Sequence, residues 1–320
     1  MKKNKIKDTG LEVTELSFGT SSLGSMPDTY GYEVPEDRAQ KTLNRFFQGP
    51  VNMLDTSRNY AMGESEKRIG KAIKANGGWP KDFLLSTKLD RNMDTLVLDK
   101  NRARESLEES LKALNVDSVD ILFLHDPEYA KDITDITKKD GAMDELFKIK
   151  NEGLAKAVGV AMGKVDIMFP LLKDWDFDVV INHNRYTLIN REANEMYDYA
   201  SSKNIAIFNA APYAGGVLAK GPDNFKKVTY QDATEEKLAP AREFEKVCKK
   251  HNVELGAAAL QFSLKDNRIT STICGVTSVE SIEKNLAWAN AEISGEFWDE
   301  ISKLPFSTND PESERVYTPG

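Results

Sequence analysis

Cysteine is scarce in this chain of 320 residues, which holds only Cys248 and Cys274. Two such residues, far apart, give neither a disulfide framework nor a metal-ligand spacing, so packing is their expected role and a reducing compartment fits best. No run of 18 apolar residues occurs. The N-terminal stretch MKKNKIKDTGLEV carries the charge of a signal peptide without its apolar centre. No membrane partner and a cytoplasmic location are therefore expected. Positive charge is also short: 51 acidic residues face 43 basic ones, the net charge is -8, and no long basic cluster occurs. That balance argues against a nucleic-acid or anionic-membrane partner and leaves a small molecule. Linkers, repeats and low-complexity tracts are missing as well, so residues 1–320 read as one domain.

What is present is a regular alternation. Short β-branched runs lie at Leu16–Gly19, Val51–Leu54, Phe83–Thr87, Val119–Leu124, Ala155–Val160, Val179–Asn182, Ile205–Asn209 and Ser271–Gly275. Between them, apolar residues recur at helical spacing over Glu36–Phe47, Glu64–Lys74, Lys100–Leu114, Met143–Asn151, Arg191–Ser201, Lys237–Lys250 and Val279–Leu286. Alternating βα units imply parallel strands, and eight of them close a (β/α)8 TIM barrel of the α/β class. A doubly wound open sheet would carry a G-x-G-x-x-G fingerprint after its first strand, and none follows Leu16–Gly19. Upstream, Lys5–Lys7 and Glu12–Thr14 flank the turn Asp8-Thr9-Gly10, so residues 1–15 read as a β-hairpin that plugs the barrel's N-terminal end. Pro222–Glu236 reads as a surface loop, and the end of the chain, 305–320, as a C-terminal extension that is a mobile tail from Asn309.

In a barrel, side chains at the C-terminal ends of the strands converge on one mouth, where catalysis sits. The second strand runs out into Asp55-Thr56-Ser57-Arg58-Asn59-Tyr60, the third into Lys88, and the fourth into His125-Asp126-Pro127. Each has an ordinary structural role when taken singly. Together on three successive strand ends they form a proton-handling set. A phenol with a pKa of about 10 is a poor acid-base catalyst at neutral pH, and an ammonium such as Lys88 is expected to lower that value. Asp55 would hold the lysine, and His125 would orient the reacting oxygen.

At these residues the sequence resembles the aldo-keto reductase family. The motif reads LDTSRNYAMGESEKRIGKAI, then LLSTK, then LFLHDP; SFGTSSLG near the start and GVTSVESIEKNLAW near the end extend the resemblance over nearly the whole chain. It implies Asp55, Tyr60, Lys88 and His125 as catalytic residues and a nicotinamide cofactor, NAD or NADP. The cofactor contacts it implies are Gly19, Thr20, Asp55, His183, Gly275, Val276, Thr277, Ser278, Ser281, Lys284 and Asn285. Four stretches are similar to the aldose 1-dehydrogenase branch, of the D-threo-aldose or L-fucose dehydrogenase kind: LHDPE at 124–128, RYTLI at 185–189, NAAPYAGGVLA at 209–219 and AAALQFSL at 257–264.

Departures from the family pattern carry information too. Where typical members grip the carboxamide with Ser-Asn, this chain has Ala161-Met162; their glutamine becomes His183, and their stacking tyrosine becomes Ala210. The Lys-Ser pair and the arginine that clamp an adenosine 2′-phosphate become Gly275-Val276 and Ser281, while Lys284 replaces an acid. NAD is accordingly expected to serve at least as well as NADP. Trp175, Tyr129, Phe306 and Tyr317 lie in loops or the tail, where they either line a substrate pocket or pack. Three activities follow from the resemblance: oxidation of an aldose at its anomeric hydroxyl to a lactone with Tyr60 as the acid-base residue, reduction of an aldehyde, ketone or pyridoxal-type carbonyl with Tyr60 as the proton donor, and service as a cofactor-binding regulatory subunit.

Overall fold

The computed structural model describes residues 1–315, so Tyr317 lies outside the described residues. Strands β1 (Lys3–Ile6) and β2 (Leu11–Thr14) pair antiparallel, Lys3 opposite Thr14 and Ile6 opposite Leu11. Then come β3 (Leu16–Gly19), β4 (Met53–Asp55), β5 (Leu84–Leu89), β6 (Val119–His125), β7 (Ala155–Met162), β8 (Val179–His183) and β9 (Ala206–Ala210). After the short strands β10 (Lys227–Val228) and β11 (Gln231–Asp232), β12 (Ile269–Gly275) pairs with both β9 and β3. The eight parallel strands β3 to β9 and β12 thereby close into a barrel.

Two apolar layers follow from the period-2 alternation of the strands. Ile121 and Phe123 of β6 point into the barrel and join Met53, Val179 and Phe208, while Leu122 and Leu124 of the same strand face the surrounding helices. Ile6, Leu11 and Val13 belong to the inner cluster, so the N-terminal hairpin fills the base of the barrel as the sequence implies. Gly159 on β7 is required by close approach: a Cβ there would lie 1.7 Å from the carbonyl oxygen of Val179 on β8.

The seven helical stretches read from the sequence are present, with ends displaced by up to three residues. Besides single-turn helices at Pro27–Tyr30, Thr134–Thr137 and Val217–Lys220, three further, longer helices occur among the described residues at Val165–Asp174, Leu255–Leu264 and Gly295–Ile301. The second is apolar on nearly every side because it packs against both its neighbours, so it lacks the one-sided period. Pro170 interrupts the pattern of the first.

Two expectations require correction. Pro222–Glu236 is not a plain loop: it contains the β10–β11 hairpin, whose turn residues Thr229 and Tyr230 have φ of 47° and 68°. The described part of the C-terminal segment is also no free tail. Asn190 donates to the carbonyl of Asn309, Thr229 to that of Pro311, and Arg185 to the carboxylates of Asp310 and Glu312. These bonds tie residues 309–312 to the loop after β8 and to the turn of the β10–β11 hairpin. No helix among the described residues is long and apolar enough to cross a membrane.

Candidate active site

A cavity of about 460 Å³ opens at the C-terminal ends of the barrel strands, and Asp55, Tyr60, Lys88 and His125 all line it. Asp55 ends β4, Lys88 stands near the end of β5 and His125 ends β6. Lys88 Nζ lies 2.8 Å from Asp55 Oδ2, 2.6 Å from the carbonyl of Thr56 and 3.2 Å from Tyr60 Oη. The second oxygen of Asp55 accepts from Ser86 Oγ at 2.9 Å. The Tyr60 and His125 rings stand nearly perpendicular, with centroids 5.8 Å apart.

Strained backbone fixes these side chains. Ala61 and Met62, directly after Tyr60, both have left-handed backbones with φ of 51° and 53°. A left-handed non-glycine residue also follows β6, β8 and β9: Asp126, Asn184 and Ala211, with φ of 44°, 62° and 54°. Each such residue costs on the order of 1–3 kcal/mol, and the sharp turn leaves the last side chain of the strand facing the cavity. His125 and His183 reach the cavity wall this way. Asp126 and Asn184 are of the type that tolerates this conformation, which is the signal the sequence offered.

The electrostatics differ from the sequence expectation at one point. Lys88 was expected to lower the Tyr60 pKa, but burial pushes the phenol well above its ordinary value, and Asp55, Tyr30, Asp126 and Asp90 push it further. Burial is the largest cause, and Asp55, paired with Lys88 at 2.8 Å and almost fully buried, adds to it. These surroundings favour the protonated phenol over the phenolate. For His125, burial opposes the charged ring, but Asp126 and Asp90 outweigh burial and hold it above the ordinary histidine value.

The sequence matches the family described as "Aldo/keto reductase family" over residues 15–305. The chain belongs to the aldo/keto reductase family. Over 284 residues it is 31% identical to L-galactose dehydrogenase from Arabidopsis thaliana, covering 88% of this chain and 85% of that protein. D-threo-aldose 1-dehydrogenase from a Pseudomonas species is 27% identical over 321 residues, which cover 92% of this chain and 94% of the relative. In fold the chain is similar to the holo form of an aldo-keto reductase from Bacillus halodurans, with a TM-score of 0.79, 22% identity, and coverage of 99% and 100%.

Of the cofactor contacts implied by the aldo/keto reductase pattern, Gly19, Asp55, His183, Gly275, Thr277, Ser281, Lys284 and Asn285 line the same cavity. Thr20, Val276 and Ser278 do not; they are buried behind it, Thr20 donating to the carbonyl of Asp55 and Ser278 capping the helix Val279–Ala289. Ser281 closes that capping box, accepting from the Thr277 and Ser278 amides at 3.0 Å each. Gly275 leaves open space where a Cβ would stand. With the positive N-terminal end of an 11-residue helix beside Lys284, this half of the cavity suits a dinucleotide's phosphates.

Sequence reasoning missed several cavity residues of this aldo/keto reductase. Lys220 lines the wall as an exposed residue whose pKa is lowered by partial desolvation; no carboxylate among the described residues pairs with it. Arg91, Tyr230 and Arg315 line the wall as well. Only Lys220 had a local hint, the GGVLAK turn around Gly215-Gly216. Tyr129 lines the cavity, as one of its two readings had it, whereas Trp175 stacks on Phe147 and Phe306 is exposed beside Arg191.

Proposed function

We propose that this protein is a nicotinamide-dependent aldose 1-dehydrogenase that oxidises the anomeric hydroxyl of a sugar to a lactone. The observation that supports it best is the polar surround of Tyr60 and His125. Asn59, Asp126, Arg91, His183 and Arg315 share the cavity with the aromatic faces of Tyr30, Tyr129 and Tyr230. Such a mixture of hydrogen-bond donors, acceptors and ring faces suits a polyhydroxylated ring better than a purely apolar aldehyde. The two aldose dehydrogenases among the relatives point the same way.

In this reading the anomeric oxygen sits between Tyr60 Oη and His125 Nε2, where both groups orient it by hydrogen bonds. A nicotinamide dinucleotide, when bound, supplies the acceptor for the C1 hydride. Gly275, Thr277, Lys220, Lys284 and Asn285 would hold it, and His183, on the cavity wall, would serve as a donor to its carboxamide. Since neither Gly275 nor Ser281 offers a guanidinium to a 2′-phosphate, NAD is the favoured form. Lys284 alone, exposed and 3.9 Å from Glu254, contributes only about 0–1 kcal/mol to such a contact.

One observation favours the opposite direction, carbonyl reduction: burial and nearby carboxylates push the Tyr60 phenol well above its ordinary value, and Asp126 and Asp90 hold His125 above its own, which favours the proton-carrying form of each. A panel of aldoses (L-galactose, L-fucose, D-arabinose) and of aldehydes, followed by nicotinamide absorbance with NAD and NADP in both directions, separates the two. Sugar oxidation with the higher kcat/KM supports the proposal. Reduction of simple aldehydes without sugar oxidation would overturn it.

A further inference from the structure

A chain of hydrogen bonds reaches the cofactor half of the cavity from behind its wall. Tyr213, just beyond the end of β9, is buried, and its Oη donates at 2.5 Å to Asn285 Oδ1 on the helix Val279–Ala289. Cys274 on β12 donates from Sγ to the same phenol oxygen at 3.6 Å. Asn285 Nδ2 donates at 2.7 Å to the carbonyl of Ser281, one turn back. The Tyr213 ring stands edge-on to Trp288, with 5.6 Å between centroids. Trp288 is seated against the helix Leu255–Leu264 because Gly256 makes room for it: a Cβ there would lie 2.2 Å from the indole.

We propose that Tyr213 is a positioning residue that fixes the Asn285 amide with its oxygen inward, so that the amide nitrogen faces the cavity as a donor to a ring nitrogen of the dinucleotide's adenine. The resemblance implies Asn285 as a cofactor contact; Tyr213 adds the choice of donor over acceptor at that contact. Of the two hydrogens on Nδ2, one goes to Ser281. The other has no acceptor among the described residues and is left for the cavity that Asn285 lines. Adenine offers acceptors at its ring nitrogens, so a donor is what it requires there. This inference rests on the nicotinamide-dinucleotide reading of the cavity, not on the substrate being a sugar.

Chemistry along the chain sets this orientation. Burial pushes the Tyr213 phenol well above its ordinary value, and Cys274 adds to the rise. Burial also pushes the Cys274 thiol up to about 12, against the lowering effect of its bond to Tyr213. Both groups therefore keep their hydrogens near neutral pH, the thiol donating to the phenol and the phenol to the amide oxygen. Turned over, the amide would set Oδ1 against the Ser281 carbonyl, two acceptors with no proton between them. The phenol and the Ser281 carbonyl thus select the same orientation from opposite ends of the amide.

The test is a double-mutant cycle on the affinity for ADP-ribose, read by titration calorimetry with no sugar or carbonyl substrate present. Tyr213→Phe keeps the ring against Trp288 and removes only the donor, so ADP-ribose should bind about three- to tenfold more weakly, the factor that one hydrogen bond carries. Asn285→Ala should lose a similar or larger factor. In the Asn285→Ala background, Tyr213→Phe should cost less than about twofold more, because its effect runs through that amide. A loss of equal size in both backgrounds would overturn the proposal, since a phenol that merely braces the wall weakens binding with or without Asn285. An affinity unchanged by Tyr213→Phe would overturn it too. Should that variant not fold, an affinity unchanged by Asn285→Ala would do the same. Wild type that fails to bind ADP-ribose would overturn the cofactor reading and this inference with it, whereas the variant outcomes bear on Tyr213 alone.

Discussion

Glu312 and Arg185 form a buried ion pair across the barrel mouth: Arg185 Nη1 lies 2.7 Å from Glu312 Oε1, and both side chains are at most 1% exposed. The same oxygen lies 3.4 Å from His183 Nδ1. One carboxylate from near the C-terminus thus fixes the segment that carries Arg315 into the cavity and orients a histidine on its wall.

Glu312→Gln is expected to destabilise the protein by about 3 kcal/mol, the low end for a broken buried pair, because Arg185 keeps Asp310. Burial pushes the Glu312 carboxyl up, but His183, Arg185 and Arg315 outweigh it and hold the group well below the usual range. A lowered carboxylate stabilises the fold above its unfolded pKa, about 4.3, and that contribution is lost as pH falls through the lower folded value. The gap in unfolding free energy between wild type and Glu312→Gln should therefore be full at pH 7 and shrink below about pH 4. Denaturant unfolding at several pH values checks this, and a gap that grew in acid would contradict it.

Lys88→Met tests whether the lysine serves structure, chemistry or both. The variant leaves Asp55 buried without its cation, so a loss of about 3–5 kcal/mol in stability is expected beside a loss of activity. Adding Asp55→Asn removes the orphaned charge. The double variant should regain most of the stability and none of the activity, as measured by thermal unfolding and kcat. Recovery of both would show that Lys88 matters only as the partner of Asp55.

Cofactor choice is read from kcat/KM with NAD and NADP. Wild type should not prefer NADP, and Gly275→Lys with Ser281→Arg should shift the ratio toward NADP by at least tenfold, since the pair restores a cationic clamp. Ser281 also closes the cap of Val279–Ala289, so this variant should lose a little stability, about 0.5–2 kcal/mol. A wild-type preference for NADP above tenfold that survives Lys284→Met would refute the reading.

The barrel was legible because each strand is a short β-branched run and each of the seven expected helices has one apolar face, both local signals. The grouping of Asp55, Tyr60, Lys88 and His125 was legible for a related reason: a barrel brings successive strand ends together, so position along the chain predicts neighbourhood at the mouth. What was not legible joins residues without local pattern. Glu312 meets Arg185 across 127 residues, and Tyr230 reaches the mouth through a turn of two residues with positive φ. The direction of the Tyr60 shift was missed because it depends on burial and on the nearby carboxylates, both set by packing.

Tyr60→Phe is the most direct test of the central claim, that this site moves a proton at the oxygen of the carbon undergoing hydride transfer. The substitution removes one hydroxyl and little contact area, so cofactor affinity, read by protein fluorescence, should stay within about threefold. Turnover in either direction should fall by about 10²–10⁴-fold, the range for losing a positioned acid-base group. A fall of less than tenfold, with cofactor still bound, would contradict the account.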